Sequence, residues 1–312
     1  MKSLRNISIV IATLALVLSF SACKKDGVYN PSKKIAAIYR TMEDEPSSKG
    51  ASKELIATYV WDGKLLSQII YNGDEPYTYT YTYNNKKQLV AVDMASEGSI
   101  RVEYDGNKVE EVSFSINNSE LLDVEFIRKG NQIIGADVEI STDLLEELLK
   151  KKDNKVLCDV LSTFLPFQMD VAFTQTMKQY AQHYSADSKG SLKGHIDYHW
   201  NGKNVSKAAF SLSFLIYSVQ ITSTYEYDNQ INPFSGGLMA NGESIDEDIL
   251  AMFHGWMNVN NITKSMTTMK AADETENSSI TCSYEYDSDN YPVKVITRDQ
   301  FENYKEDFYE YK

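Results

Sequence analysis

Along most of this chain, hydrophobic and polar residues alternate with a period of two, which is typical of β-strands with one buried face. Each alternating segment is short and ends at a turn signal such as Asp-Gly, Asn-Gly or Asn-Asn. These residue types accept the positive φ angle that a tight hairpin requires. The pattern predicts a curved antiparallel β-meander in which each hairpin adds two strands to one sheet.

A short motif recurs at these turns: an aromatic residue or valine, any residue, a second aromatic residue, and then Asp or Asn. Copies occupy residues 59–63, 81–85, 102–106, 198–202, 225–229 and 284–287, with a looser copy at 124–131. The first four anchor aromatics are spaced 22, 21 and 22 residues apart; they are Trp61, Tyr83, Tyr104 and Phe126. A fixed period indicates a repeated supersecondary unit, here one hairpin per repeat.

Two segments break this rhythm with apolar residues three and four positions apart, the spacing of an amphipathic helix. The first covers about residues 141–187 and the second about 244–257. Because their apolar stripes need a cover, we expect these helices to pack on one face of the sheet. The predicted fold class is therefore mainly β with helical insertions (α+β). Residues 271–279 are polar and lack a period, which predicts an exposed loop.

The first residues have the pattern of an export signal. Lys2 and Arg5 precede an apolar stretch from Ile7 to Leu18, which is too short to span a bilayer. The sequence that follows, ending in Ala22-Cys23, resembles the lipobox of bacterial lipoproteins. The resemblance implies cleavage before Cys23 and lipid attachment to it. We predict a signal peptide at 1–22, a tether at 23–32 and a single β-meander domain at 33–312.

The whole chain resembles the tyrosine-rich lipoproteins of Bacteroides-type bacteria, whose turns look like tyrosine–aspartate repeats. The resemblance rests on the lipobox, the Tyr-x-Tyr-Asp turns and the segments 227–234 and 290–292. It implies a lipid-anchored protein of the cell envelope, held to the outer membrane, and it provides no catalytic residue that could be carried over to this chain. Lys24-Lys25-Asp26 after the cysteine leaves a surface position and a periplasmic position both open.

The chain has 312 residues and a net charge of −13, which becomes −15 when Lys2 and Arg5 leave with the signal peptide. Such an acidic chain repels nucleic acid and anionic lipid head groups, so neither is expected as a partner. The expected partners are the membrane, through the lipid, and a glycan, lipid or protein that the sequence does not identify.

Few residues point to chemistry. His195, Asp197 and His199 share one face of a strand and could hold a metal, but alternation on a solvated face explains them equally well. No catalytic motif is present, so we predict a non-enzymatic protein without a cofactor or a metal site. Cys158 and Cys282 could form a disulfide, although Cys158 lies in an apolar segment typical of a buried thiol.

Three functions follow from these patterns. The first is a structural or interaction module of the envelope, the second a carrier that holds an apolar ligand between sheet and helices, and the third a surface glycan-binding module. For the third, Trp61 and Trp200 precede turns and could stack on sugars, or could pack on neighbouring strands. The sequence leaves closure of the sheet open. Charged residues of the last strand are expected to protect an exposed edge; they are Lys305, Glu306, Asp307 and Glu310.

Overall fold

The structure is a computed structural model. It describes residues 26–41, 52–72, 76–95, 98–141, 190–214, 217–238, 240, 256–271, 274–301 and 304–312. The first eight strands are β1 (Ile35–Thr41), β2 (Lys53–Asp62), β3 (Leu65–Tyr71), β4 (Tyr77–Tyr83), β5 (Leu89–Asp93), β6 (Ser99–Asp105), β7 (Lys108–Ile116) and β8 (Ser119–Lys129). The other eight are β9 (Gln132–Ser141), β10 (Ser191–Asn201), β11 (Asn204–Phe214), β12 (Tyr217–Tyr227), β13 (Ile262–Ala271), β14 (Glu274–Tyr286), β15 (Pro292–Asp299) and β16 (Tyr304–Tyr311).

These strands form one closed antiparallel barrel. Each strand pairs with the strands before and after it in sequence, and β1 pairs with β16 to close the sheet. The antiparallel meander of repeated hairpins is therefore present. Closure leaves no free sheet edge among the described strands, so none needs the protection that an exposed edge requires.

The predicted α+β fold class is wrong, because the described residues contain strands and turns and no helix. Among the described residues no helix covers a face of the sheet, and closure turns the apolar face inward. Most of the two predicted helical insertions lies outside the described residues. Of their ends, Ser141 belongs to β9, and Trp256 and Met257 lie in a turn.

The predicted loop at 271–279 is also wrong. β13 runs to Ala271 and β14 begins at Glu274, and the two strands pair closely. Thr268 and Asn277 face each other across this hairpin and their side chains are hydrogen-bonded at 2.8 Å. Cross-strand pairing thus orders a segment whose own sequence has no strand pattern.

Side chains alternate between a buried inner face and a polar outer face. On β7, Val109, Val112 and Phe114 are at most 1% exposed and belong to the core, whereas Glu110 lies exposed. Tyrosines contribute to the same inner face: the Tyr71 and Tyr77 rings stack with centroids 4.4 Å apart. Burial of this face is the main source of stability that the described barrel offers.

Seven hairpin connections lie at one end of the barrel, which we call the turn end. The described residues of the turn end are those of these connections together with 26–34 and 312. They are residues 26–34, 62–65, 84–88, 105–108, 128–132, 201–204, 228–238, 256–261, 287–291 and 312. Gly63, Gly106, Gly130 and Gly202 occupy its tight turns with φ between 54° and 66°. This left-handed conformation explains the glycines of the repeated motif.

A ring of side-chain hydrogen bonds explains the aromatic residues of the motif. At the end of each even-numbered strand, one side chain donates to a backbone carbonyl near the start of the preceding strand. We call these eight donors the girdle; distances run from 2.6 to 3.1 Å. The donor–acceptor pairs are Trp61–Ile35, Tyr83–Leu66, Tyr104–Leu89, Arg128–Val109, Trp200–Ile133, Tyr227–Val205, Tyr284–Ile262 and Tyr311–Pro292.

The eighth unit of the ring is divided between the two ends of the chain. Tyr311 of β16 pairs with Ile35 of β1, and the Lys312 amide donates to the Lys34 carbonyl at 2.9 Å. The repeat therefore continues across the junction between β16 and β1 without a covalent hairpin.

Charged residues of the last strand do not protect an edge, which corrects that expectation. Because β16 pairs with both β15 and β1, Lys305, Glu306 and Asp307 are buried, at 6%, 1% and 1% exposure. Arg40 of β1 donates from Nε to Asp307 at 2.7 Å, and Lys305 Nζ lies 3.4 Å from the same carboxylate. These charges join the closing strands. Glu310 alone of the four is exposed.

The turn end is filled by two segments. Residues 26–34, the N-terminal strap, cross it, and the connection between β12 and β13 covers part of it. The strap inserts Tyr29, 4% exposed, whose hydroxyl donates to the Pro233 carbonyl at 2.8 Å. Phe234 packs edge-on against Tyr309 of β16. The predicted tether at 23–32 therefore includes residues that are packed into the barrel end.

Candidate functional site

Trp61 is a packed member of the girdle. Its indole nitrogen donates to the Ile35 carbonyl at 2.8 Å. The ring of Tyr29 lies 5.5 Å from its ring, and the Lys34 ammonium sits 5.2 Å from its centroid. Of the two alternatives for Trp61, stacking on a sugar or packing on neighbouring residues, the described contacts are those of packing.

Trp200 occupies the equivalent place in the girdle but has a different surrounding. Its indole nitrogen donates to the Ile133 carbonyl at 2.7 Å, and its ring is half-buried. The ring lines a cleft of about 410 Å³ at the turn end. This volume lies in the range of small-molecule sites.

Four segments build the walls of this turn-end cleft. They are the start of the strap (26–28), the β8–β9 turn (128–133), the β10–β11 turn (200–203) and parts of the β12–β13 connection (235–236 and 256–259). The Gly236 amide donates to the Trp256 carbonyl at 2.7 Å and holds the two parts of that connection together. The Asn258 side chain accepts a hydrogen bond from the Val205 amide at 2.8 Å, which attaches the β12–β13 connection to β11.

The lining combines aromatic rings with polar and cationic groups. Trp200 and Trp256 are joined by Met257 and Ile133 on the apolar side. Trp256 is held in place by an edge-on contact with Phe126, with centroids 6.0 Å apart. The polar lining residues include Arg128, Lys129, Asn131, Gln132 and Lys203. Flat rings beside amide and ammonium donors suit a ligand with an apolar face and polar or anionic substituents.

Arg128 holds the cleft wall together. Its guanidinium forms an ion pair with Asp26 of the strap, and it donates to the Val109 and Asn131 carbonyls at 3.1 and 3.3 Å. Those contacts direct it toward the protein. Lys129 and Lys203, by contrast, are exposed, so they are the lining cations that a ligand meets first.

Burial raises the pKa of the girdle tyrosines above the usual value of about 10. Desolvation is the largest cause for Tyr83, Tyr104 and Tyr227, and the charge of Asp26 adds to it for Tyr104. These phenols therefore stay neutral at physiological pH and act as hydrogen-bond donors rather than as general bases.

His195 is engaged with carboxylates on the outer face. Its Nδ1 lies 2.6 Å from Asp137, and its Nε2 lies 3.5 Å from Asp197. The hydrogen bond to Asp137 is the main reason why the pKa of His195 is raised. In the described part of the chain no group of three or more His, Cys, Asp or Glu residues could hold a metal ion.

A row of acids crosses the outer face beside His195. Strand register aligns Glu103, Glu111, Glu125 and Asp137 on four neighbouring strands. Next to this row, burial and then the charge of Glu111 raise the pKa of Asp123 to about 7. Its Oδ1 is buried and has no hydrogen-bond partner among the described residues. The row of acids raises the proton affinity of Asp123, but the described residues around it do not form a recognisable catalytic arrangement.

The cysteines lie in different parts of the chain. Cys282 is buried on the inner face of β14, with its sulfur 3.6 Å from the Thr297 hydroxyl. Cys23, the predicted lipid attachment site, and Cys158 lie outside the described residues. The lipid attachment and the disulfide with Cys282 therefore stay predictions.

Of the two tryptophans that the sequence offers as ligand-binding candidates, Trp200 lines the cleft, and the sequence does not indicate most of the other lining residues. Trp256 falls in the predicted helical insertion at about 244–257, and Arg128 lacks the aromatic signal of the motif because it stands where the other girdle donors are Trp or Tyr. One signal was present: lysine stands beside the turn glycine at Lys64, Lys129 and Lys203. That recurrence indicates a cationic turn end, which only the barrel topology brings to one place.

Comparison with known proteins leaves the family open. No protein-family model matches the chain, and no curated protein matches it. Among solved structures, the complex "TcdB2-TccC3-Cdc42" is similar at 11% identity with a TM-score of 0.30, over 83% of this chain and 13% of that one. The complex "TcdB2-TccC3" gives 10% identity, a TM-score of 0.31, and 81% and 13% coverage. This chain thus spans about an eighth of the length of the structures that it matches.

Among the residues that the structure describes, no helix has the length and apolar composition needed to cross a membrane.

Proposed function

We propose that this protein is a lipid-anchored component of the cell envelope, attached to the outer membrane through Cys23, and that its barrel is a non-enzymatic interaction module. The lipobox at 19–23 and the resemblance to tyrosine-rich lipoproteins of Bacteroides-type bacteria support the anchor. The barrel presents the turn-end cleft on a scaffold in which side chains and backbone are tied by the girdle.

The observation that carries the interaction role is the turn-end cleft itself. It has about 410 Å³ of space, two tryptophans, and lysines at its rim. The ionisable groups near it serve structural contacts: Arg128 pairs with Asp26, and Tyr104 donates to the Leu89 carbonyl. An arrangement of this kind supports binding rather than bond cleavage.

Fractionation and protease treatment of whole cells test the anchor. The wild-type protein should sediment with the outer membrane, and Cys23→Ala should move to the soluble fraction or stay as precursor. Cys282→Ala changes a buried cysteine and serves as the control that keeps the membrane position. Retention of Cys23→Ala in the outer membrane would contradict the proposed anchor. Protease cleavage on intact cells then separates a surface position from a periplasmic one.

A second candidate function is glycan binding in the turn-end cleft, and the position of Trp200 favours it. Trp200→Ala should abolish binding on a glycan array, whereas Trp61→Ala should keep it. Both tryptophans make the same kind of girdle hydrogen bond, but only Trp200 lines the cleft. The pair therefore controls for general damage to the girdle. Equal loss in both variants would point to damage and contradict a glycan site.

The apolar carrier is supported less well. A carrier needs open space on the inner face, and the described inner residues of β2 to β12 belong to one cluster of buried side chains. Native mass spectrometry of the purified protein tests this alternative, and bound lipid that survives purification would favour it.

A further inference from the structure

We propose that the turn end of the barrel rests on the membrane surface and binds its anionic, phosphate-bearing head groups. This inference rests on the proposed lipid anchor at Cys23. It adds an orientation and a partner chemistry that the anchor alone does not define.

The N-terminal strap determines which end of the barrel lies nearest the lipid. The Asp26 amide donates to the Asn107 carbonyl at 3.0 Å, and its carboxylate pairs with Arg128 and accepts from the Val109 amide. The next residue, Gly27, accepts from the Leu89 amide at 2.9 Å. Residue 26 is therefore fixed to the β6–β7 and β8–β9 turns.

Only three residue steps separate Cys23 from Asp26. A fully extended chain covers at most about 3.5 Å per residue, so this link spans about 10 Å. The barrel itself is far larger than that. A lipid on Cys23 consequently holds the turn end, and with it the cleft, close to the head groups.

The described residues of the turn end carry more cations than acids, although the molecule as a whole is acidic. These residues carry six acids, three of which are held by cations: Asp26 by Arg128, and Asp287 and Asp289 by Lys33. The count leaves out residues 241–255, whose four acids lie outside the described part. Against the six acids stand ten cations: Lys33, Lys34, Lys64, Lys86, Lys87, Lys108, Arg128, Lys129, Lys203 and Lys312.

Acids concentrate instead on the outer wall, where Glu103, Glu111 and Glu125 stand in one row. Lysine near an anionic bilayer contributes about 1 kcal/mol of attraction, and the effect fades within a Debye length of about 8 Å. The exposed lysines Lys64, Lys129 and Lys203 stand at the turns themselves, whereas Glu103 lies two residues, about 7 Å, further along its strand. The lysines therefore meet the head groups first, and the row of acids begins near the limit of this range.

Amine footprinting on vesicles tests the orientation. The lipidated protein is placed in vesicles of phosphatidylcholine with added phosphatidylglycerol, labelled with an amine-reactive ester, and compared with protein in detergent. Lys64, Lys129 and Lys203 are exposed in the structure and should be labelled roughly fivefold less on the anionic vesicles. Lys193 and Lys270, which are exposed away from the turn end, should be labelled equally in both. Equal labelling of all five lysines would overturn the proposal.

A second measurement separates this inference from the anchor. The Cys23→Ser chain, produced without residues 1–22 so that neither the apolar signal segment nor a lipid at that residue is present, should still bind anionic vesicles more tightly than neutral ones, and added salt should weaken that binding. The variant K64Q/K129Q/K203Q should lose it, whereas R101Q/K193Q/K270Q, with the same charge change elsewhere, should keep it. If the wild-type protein carries no lipid but this pattern holds, the anchor fails and the cationic surface stands. If neither charge variant differs from Cys23→Ser, the surface fails.

Discussion

At the scale of single residues, the chain places titratable groups where burial decides their behaviour. Burial keeps the girdle tyrosines neutral, and the hydrogen bond to Asp137 stabilises the protonated form of His195. Asp123 retains a proton to higher pH than an ordinary carboxyl group. Arg40 and Asp307 form an ion pair that is 4% and 1% exposed. Two of these features lead to direct predictions.

Replacement of Asp123 should change how stability depends on pH. The pKa of Asp123 is about 7 in the folded protein and near 3.8 in the unfolded chain, because burial and then Glu111 disfavour its charge. The folded state therefore binds more protons between these values, and the free energy of unfolding falls as pH rises from about 4 to about 7. Asp123→Asn should unfold at a higher temperature than wild type at pH 8 and should lose part of that pH dependence.

Glu110→Gln is the control for this prediction. It removes an exposed charge next to Glu111 in sequence and leaves the Glu111–Asp123 pair intact. Thermal unfolding between pH 4 and pH 8 supplies the measurement. A slope in Asp123→Asn as steep as in wild type would show that the pair does not control this pH range.

Replacement of Asp307 should weaken the closing strands. Asp307→Asn leaves the buried charges of Arg40 and Lys305 without this carboxylate, and breaking a buried pair costs about 3–5 kcal/mol. Chemical denaturation should show a loss of that size. Glu310→Gln, on the same strand but exposed, should change stability by less than about 0.5 kcal/mol. Similar losses of stability in both variants would contradict a stabilising role for the buried Arg40–Asp307 pair.

At the scale of elements, local sequence is a good guide to hairpins and a poor guide to their long-range partners. The motif around Trp61, Tyr83 and Tyr104 predicts turns and strand faces because side-chain alternation and turn glycines act within a few residues. It does not reveal that each of these side chains donates to the strand before it. Those acceptors, such as Ile35 for Trp61, lie 15 or more residues away.

Closure of the barrel and the turn-end cleft also depend on contacts between residues far apart in sequence, so local patterns do not predict them. β1 and β16 are separated by most of the chain, and neither carries a local signal for the other. The sequence predicts that the charges of β16 protect an exposed edge, because nothing in the segment itself indicates that Arg40 lies opposite Asp307. Trp256 and Trp200 are likewise brought to one cleft only by the barrel. A helix-like spacing around Trp256 even favoured the wrong element for that residue.

The strap is the element on which both the cleft and the proposed orientation depend, and Gly27 tests it. A Cβ at Gly27 would overlap the Tyr104 hydroxyl, and φ is +70°. Gly27→Ala should therefore lower the free energy of unfolding by more than the roughly 1–2 kcal/mol of left-handed strain alone. It should also increase amide hydrogen exchange at Leu89 and Val109, whose amides bind the strap.

Gly106→Ala provides the matched control. Its φ is +64°, but nothing lies within 4 Å of an added Cβ, so only backbone strain is expected. Denaturation and hydrogen exchange of the two variants together separate strain from displacement of the strap. If both lose the same stability and exchange at Leu89 stays slow, the close contact at Gly27 is unimportant.

At the scale of the whole molecule, the described barrel combines an inner apolar core, an outer wall rich in acids and a cationic end that carries the strap and the cleft. The two ends of the barrel therefore differ, since the described N-terminal residues lie at the turn end and not at the opposite end. The proposed lipid on Cys23 would orient the barrel, since it would place the turn end and its cleft at a membrane surface.

Intact mass spectrometry of the protein extracted from the outer membrane shows whether the chain is cut before Cys23 and acylated there. We expect a chain that begins at Cys23 and carries added acyl groups, and we expect Cys23→Ala to accumulate with residues 1–22 still attached. A wild-type chain that begins at another residue, or that begins at Cys23 without acyl groups, would contradict the anchor on which the proposed function depends.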